Sequence, residues 1–237
     1  IPGSPLVEVS EVDPRLGAIF YAVEQKPTEK PVIQRIDNCL ECHASSRTMG
    51  VPGHLFRSVE TDRQGIMDLS TGIEPVDHRT PLSDRWGGWY VTGTHGAAQH
   101  RGNRMGEEFA HAKSNPALGG NKTRLDEYFD PSKYPSAGSD IAALMVLGHQ
   151  VHLHNFITRV HYMAVQHLAA YGHVDYLKSP VEGLVKQVLM AGEIPLEYPV
   201  RGDPEYVRAF EKTGPRDRRG RWMALDSRRR DRYRSPA

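Results

Sequence analysis

The chain has 237 residues, enough for one large domain or two small ones, so length does not limit a buried core. Its hydrophobic fraction is 38%, and no run approaches the roughly 18 to 20 apolar residues of a membrane-spanning helix, so the sequence predicts no transmembrane segment. The net charge of +1 is unevenly distributed, because residues 215–237 hold nine arginines against three aspartates and the rest of the chain is acidic. We therefore expect a single domain over 1–214 and a basic tail over 215–237.

The first half of the chain shows little regular periodicity. Residues 1–14 are predicted to be an extended lead-in, and the apolar run 16–23 predicts a short strand or a helical turn. From 44 to 121 glycine and proline recur throughout, which is typical of chain that is wrapped around something and not packed as long elements. An irregular segment of this length inside a compact domain needs a reason, and a bulky cofactor supplies one.

The second half predicts helices. Apolar residues recur at helical spacing after Ser139 and Asp140, which can cap a helix, and the pattern continues to Gly172. Two shorter helices are predicted over 179–192 and 203–214, each opened by a proline and ended by a glycine. The predicted fold is mainly α, with an irregular glycine-rich, cofactor-wrapping region and a few helices, one of them long and in the C-terminal half.

The two cysteines of the chain both lie in one CxxCH motif, formed by Cys39, Cys42 and His43. Two thiols three positions apart on one helical turn can form thioethers to the two vinyl groups of haem, and the adjacent histidine then lies under the iron as its proximal ligand. The motif therefore predicts one covalently attached haem c. A zinc site that uses some of the twelve histidines and a redox-active dithiol are the alternatives that these residues leave open.

A segment rich in aromatic residues and glycine covers residues 85–96. We expect Trp86 and Trp89 to contact the haem, since flat aromatic rings can cover a porphyrin face and glycines let the backbone pass close to it. The alternative is a small aromatic core with turn glycines. His95 is the first candidate for the distal iron ligand. The other candidates are His100, Met105, His149 and His154.

Several separate motifs resemble a family of bacterial c-type cytochrome domain proteins, over about residues 15–170. In chain order they are Cys39-Leu40-Glu41-Cys42-His43-Ala44-Ser45, Thr48-Met49-Gly50-Val51-Pro52-Gly53, Arg57-Ser58, Arg85 to Gly96 (RWGGWYVTGTHG), His100-Arg101-Gly102-Asn103, and the helical residues Ser139-Asp140-Ile141, His149-Gln150 and His154-Asn155. The resemblance implies a secreted or periplasmic haem c protein. Such sequences often have methionine at the position of Arg101, and this departure favours His95 or His100 as the distal ligand.

These features predict a monohaem cytochrome that carries electrons between extracytoplasmic redox partners, as a free protein or as a subunit of a larger membrane-associated complex. The alternative is a haem c enzyme whose open distal position acts on a small peroxide, nitrogen or sulfur substrate. We expect an electron-transfer protein more than an enzyme. No nucleic-acid partner is expected, because the arginines of the tail are interspersed with aspartates and lack an organised aromatic stripe.

Overall fold

The computed structural model describes residues 3–26, 30–112 and 114–213. Its strands are β1 (Leu6–Asp13), β2 (Gly17–Glu24), β3 (Ile33–Arg35), β4 (Arg57–Val59) and β5 (Ile73–Pro75). Its helices are α1 (Leu40–His43), α2 (Glu108–His111), α3 (Ile141–Tyr171), α4 (Lys178–Val188) and α5 (Pro204–Thr213). Short 3-10 turns lie at Asp37–Cys39, Ser46–Thr48, Leu69–Thr71, Leu82–Asp84, Pro131–Lys133 and Asp175–Leu177. The predicted basic tail, 215–237, lies outside the described residues.

The N-terminal region forms a three-stranded antiparallel sheet with the strand order β1-β2-β3. The hairpin between β1 and β2 closes where a carboxylate oxygen of Asp13 accepts hydrogen bonds from the backbone N–H groups of Arg15 and Leu16, at 2.8 and 2.7 Å. Gly17 follows with a φ of +79°, which glycine adopts without strain. The expected lead-in over 1–14 is therefore a paired strand, and of the two possibilities left open for 16–23 the strand is confirmed.

The prediction of a mainly α fold is wrong. Of the described residues, 38% are helical and 15% lie in strands, and the three-stranded sheet is a separate layer that the expected fold lacked. The error has a physical cause in β1. Seven of its eight residues are exposed, so its apolar and polar residues do not sort between a buried and a solvent face.

α3 begins and ends where the sequence predicts. The Asp140 side chain caps it by accepting a hydrogen bond from the backbone N–H of Ala143 at 2.8 Å, and Gly172 ends it in the left-handed conformation. The two shorter helices are also found, although α4 already stops at Val188 and the end predicted at Gly214 lies outside the described residues. No helix in the described ranges is long and apolar enough to cross a membrane.

The main hydrophobic core lies between the glycine-rich segment and the first half of α3. Its members are Phe56, Val76, Trp86, Val91, Ile141, Leu144 and Val151. Close approach depends on Gly148, because a Cβ at that position would lie 3.0 Å from the Phe56 ring. Farther along, the buried face of α3 becomes polar at Asn155 and Thr158, and there it meets the segment that carries the CxxCH motif.

Candidate functional site

The CxxCH residues occupy one continuous helical turn. The 3-10 turn Asp37–Cys39 leads directly into α1, and Cys39 itself has helical angles, φ −57° and ψ −27°. Both thiols are free; Cys39 is half-buried and Cys42 is exposed. Neither cysteine is fully buried, which is compatible with attachment to haem.

His43 is held by Gly53 on two sides. The Nδ1 atom of His43 lies 3.0 Å from the carbonyl oxygen of Gly53, and the backbone N–H of Gly53 donates to the His43 carbonyl at 2.8 Å. A carbonyl oxygen only accepts, so Nδ1 carries the proton and Nε2 keeps a lone pair. Metal-binding histidines have this arrangement, because a partner for one ring nitrogen fixes the tautomer and aims the other nitrogen.

The position of Gly53 is fixed in turn by α3. Asn155, which is 1% exposed, accepts from the backbone N–H of His54 at 2.9 Å and donates to the His54 carbonyl at 2.8 Å. A Cβ on Gly53 would lie 2.3 Å from Oδ1 of Asn155, so any other residue there would displace the Asn155 amide from its hydrogen bonds. The ring of His43 is thus anchored through one loop to the middle of α3.

An aromatic side chain joins this loop to the N-terminal sheet. The ring of Phe20, on β2, lies 4.5 Å from the ring of His43 and 5.7 Å from that of His54, centroid to centroid. The Nε2 atom of His54 hydrogen-bonds to the Ser10 hydroxyl on β1 at 2.9 Å. Burial lowers the pKa of His54, and the charges of His43 and His154 lower it further.

Trp86 and Trp89 lie in the core of the glycine-rich segment. Trp86 is fully buried, and its ring meets His100 edge-on at 5.5 Å. Trp89 packs against Phe56, and its indole N–H donates to the Arg57 carbonyl at 2.8 Å. Among the described contacts neither indole touches α1. The two rings thus lie where the alternative interpretation, a small aromatic core, expects them. Their contact with haem stays a prediction.

His95, the first distal candidate, is buried at 1% exposure, and its Nε2 has a hydrogen-bond partner while its Nδ1 has none among the described residues. Its Nε2 accepts the backbone N–H of Asn121 at 3.0 Å, while its own backbone N–H donates to the Asn121 side chain at 2.8 Å. The lone pair that would bind iron is therefore already occupied. His95 can become an iron ligand only if that hydrogen bond breaks, and its distal role stays a prediction.

The remaining distal candidates are dispersed. His100 is 2% exposed and packs edge-on against His95 at 4.8 Å. Met105 is half-buried just before α2, and His149 packs edge-on against His78 at 5.7 Å. His154 is the candidate that adjoins the loop holding His43, because it precedes Asn155. At the position where the resembling sequences often have methionine, Arg101 forms an ion pair with Glu60 at 2.5 Å.

The described residues contain no preformed zinc site. Among them, no three His, Cys, Asp or Glu side chains converge as the ligands of a metal ion would. His149 and His152 face Asp77 and His78, and burial lowers the pKa of both, so these rings are neutral near pH 7.

Sequence reasoning missed Phe20, Gly53 and the structural role of Asn155. Asn155 lies 101 positions from His54, and no local pattern reports a contact over that distance. In comparisons with known proteins, no protein-family model, curated protein or solved structure matches the chain.

Proposed function

We propose that the protein is a monohaem c-type cytochrome that carries electrons between extracytoplasmic redox partners. The observation that supports this most is the pairing of two accessible thiols on one helical turn with a His43 ring whose Nδ1 is held by the Gly53 carbonyl. A redox dithiol gives no reason for an adjacent histidine that is fixed in this tautomer, and a zinc ion would need further ligands, which do not converge among the described residues. A haem site does give a reason for this histidine, because the iron needs one nitrogen lone pair held in a constant direction.

Cys39, Cys42 and His43 would each contribute to holding the haem. The thiol of each cysteine would add across one vinyl group of haem, with a carbon–sulfur bond formed and the thiol hydrogen transferred to the other vinyl carbon. His43 would hold the iron through Nε2, and the Gly53 carbonyl, which accepts from Nδ1, keeps the ring from turning. When bound, haem supplies an iron that alternates between two oxidation states, one electron apart.

Periplasmic or otherwise extracytoplasmic location and docking to redox proteins belong to the same proposal. The location follows from the resemblance to secreted haem c proteins. Docking is favoured by the charge asymmetry of the sequence, since nine arginines in 215–237 and an acidic remainder would attract partner surfaces of opposite charge.

The first experiment is intact-mass spectrometry of the chain after expression with a haem c maturation system. We expect the mass of the polypeptide plus one haem, retained in acid and organic solvent, and we expect Cys39→Ser/Cys42→Ser to lose it. His111→Gln, at an exposed histidine outside the site, is the matched control and should keep the haem. A wild-type mass equal to that of the bare polypeptide would overturn the proposal.

The optical spectrum separates an electron carrier from an enzyme. A carrier predicts low-spin, six-coordinate iron in both oxidation states and no change when CO or cyanide is added. High-spin iron that binds CO or cyanide would contradict the proposal of an electron carrier and favour chemistry at an open distal position.

A further inference from the structure

A stripe of α3 side chains runs alongside β2. Tyr162 donates its hydroxyl to the carbonyl of Leu16 at 2.9 Å. One turn earlier, Thr158 packs against Gly17, where a Cβ would lie 2.6 Å from its methyl carbon. Residues four apart share a helix face, so the next member of the stripe is His154, whose carbonyl accepts from the Thr158 hydroxyl at 3.0 Å. The stripe advances along β2 in the direction of Phe20.

The opposite wall of this region is the loop that holds His43. Asn155, the neighbour of His154, is bonded to both backbone groups of His54, and the Phe20 ring contacts the rings of both His43 and His54. His154 therefore approaches the ring cluster of Phe20, His43 and His54 from the helix side.

Of the other histidines near the cluster or on α3, His152 lies beside Asp77 and His78, and the rest have contacts of their own. His54 uses its Nε2 on Ser10, His149 packs edge-on against His78, and His161 packs against Tyr162. His167 lies near the far end of the helix, among Tyr171 and Tyr176. His154 is half-buried, and its ring makes neither a hydrogen bond nor an aromatic contact with a described residue, whereas His149, His161 and His167 each make an aromatic contact.

We infer that His154 is the second axial ligand of the haem iron, opposite His43. The inference rests on the proposed haem and adds the identity of the distal group. Two imidazole nitrogens give low-spin iron and a lower reduction potential than the histidine–methionine pair, since methionine ligation raises the potential. His154 is also well supported for this role, because it lies on a long helix whose next residue, Asn155, is locked to the proximal loop.

The test compares His154→Ala with His149→Ala, which removes a histidine from the same helix but on the side of His78. We expect both variants to retain one haem by mass. His154→Ala should change from no CO binding to binding one CO per haem and should become high-spin, while His149→Ala stays like the wild type. Added imidazole should restore the low-spin spectrum of His154→Ala, which a misfolded protein would not show.

His154→Met provides a second measurement that does not depend on an empty position. We expect its reduction potential to rise above that of the wild type and a sulfur-to-iron charge-transfer band to appear. If His154→Ala stays low-spin and does not bind CO, the assignment is overturned while the haem proposal stands. If the wild-type chain carries no haem by mass, the proposed function itself has failed.

Discussion

Protonation of His100 should destabilise the fold in mild acid. His100 is 2% exposed and is enclosed by Trp86, His95 and Gly102. Burial, aided by the charges of His95 and Arg104, lowers its pKa from 6.5 to about 3. The proton therefore binds the unfolded chain more tightly than the folded one.

The sign and the size of the effect follow by linkage. Because the folded-state pKa is the lower one, the stabilisation is complete above pH 6.5 and is lost as the pH falls toward 3. Between pH 7 and pH 5 this single group should lower the free energy of unfolding by about 2 kcal/mol. That is a large part of the 5 to 15 kcal/mol typical of a domain.

The measurement is a double difference. Urea unfolding of the haem-loaded protein at pH 7 and pH 5 gives the drop in stability for the wild type and for His100→Gln, which cannot titrate. The packing change caused by the substitution is present at both pH values and cancels. We expect the drop to be smaller by about 2 kcal/mol in His100→Gln. The matched control His111→Gln, at an exposed histidine, should reproduce the wild-type drop.

Equal drops in the wild type and in His100→Gln would refute the reasoning. They would mean that the folded protein accepts a charge at His100 without penalty, through water or through movement of the surrounding loops.

Three further predictions concern side chains that organise the fold. Asn103 is 3% exposed; it accepts from the backbone N–H of Val91 and donates to the carbonyls of Val91 and Gly119. Asn103→Ala should therefore lower the free energy of unfolding by about 3 kcal/mol. A melting temperature within a degree of that of the wild type would exclude this role. Asn155→Ala should lower the free energy of unfolding, measured with urea, by about 2 to 4 kcal/mol, because it leaves the His54 N–H and carbonyl unpaired. The control Gln150→Ala removes an exposed side chain of the same helix and should have little effect. Asp140→Ala removes the acceptor of the Ala143 N–H at the start of α3 and also that of the Asp203 N–H, so it should cost about 1 to 2 kcal/mol. Asp140→Asn keeps one acceptor oxygen for the cap and should recover part of this, and equal stability of the two variants would show that the cap contributes nothing.

The features that the sequence predicted correctly depend on interactions between residues close together in the chain. The ends of α3 depend on the side-chain cap of Asp140 and the positive φ of Gly172, and both effects operate within one turn of chain. The geometry of a CxxCH turn is equally local. The β1–β2 hairpin was missed because the exposed residues of β1 show no alternation between a buried and a solvent face.

Contacts between distant segments could not be predicted in this way. The segment 85–96 has a composition that suits a haem pocket and an aromatic core equally, since both bury flat rings among glycines. The structure places the fully buried Trp86 in the core with Val91 and Ile141. Similarly, nothing near His95 in the sequence indicates that the backbone of Asn121 donates to its ring. Histidine type and spacing alone therefore could not rank the distal candidates.

The proposed iron site has both of its protein ligands anchored to one turn of α3. On the proximal side, the His43 ring is held by the Gly53 carbonyl, and the adjoining His54 backbone is held by Asn155. On the distal side, the inferred ligand is the residue that immediately precedes Asn155. A movement of this turn therefore shifts both ligands together and changes their separation little. Because an electron carrier works fastest when its ligands move least between oxidation states, this coupling favours electron transfer over chemistry at an open iron.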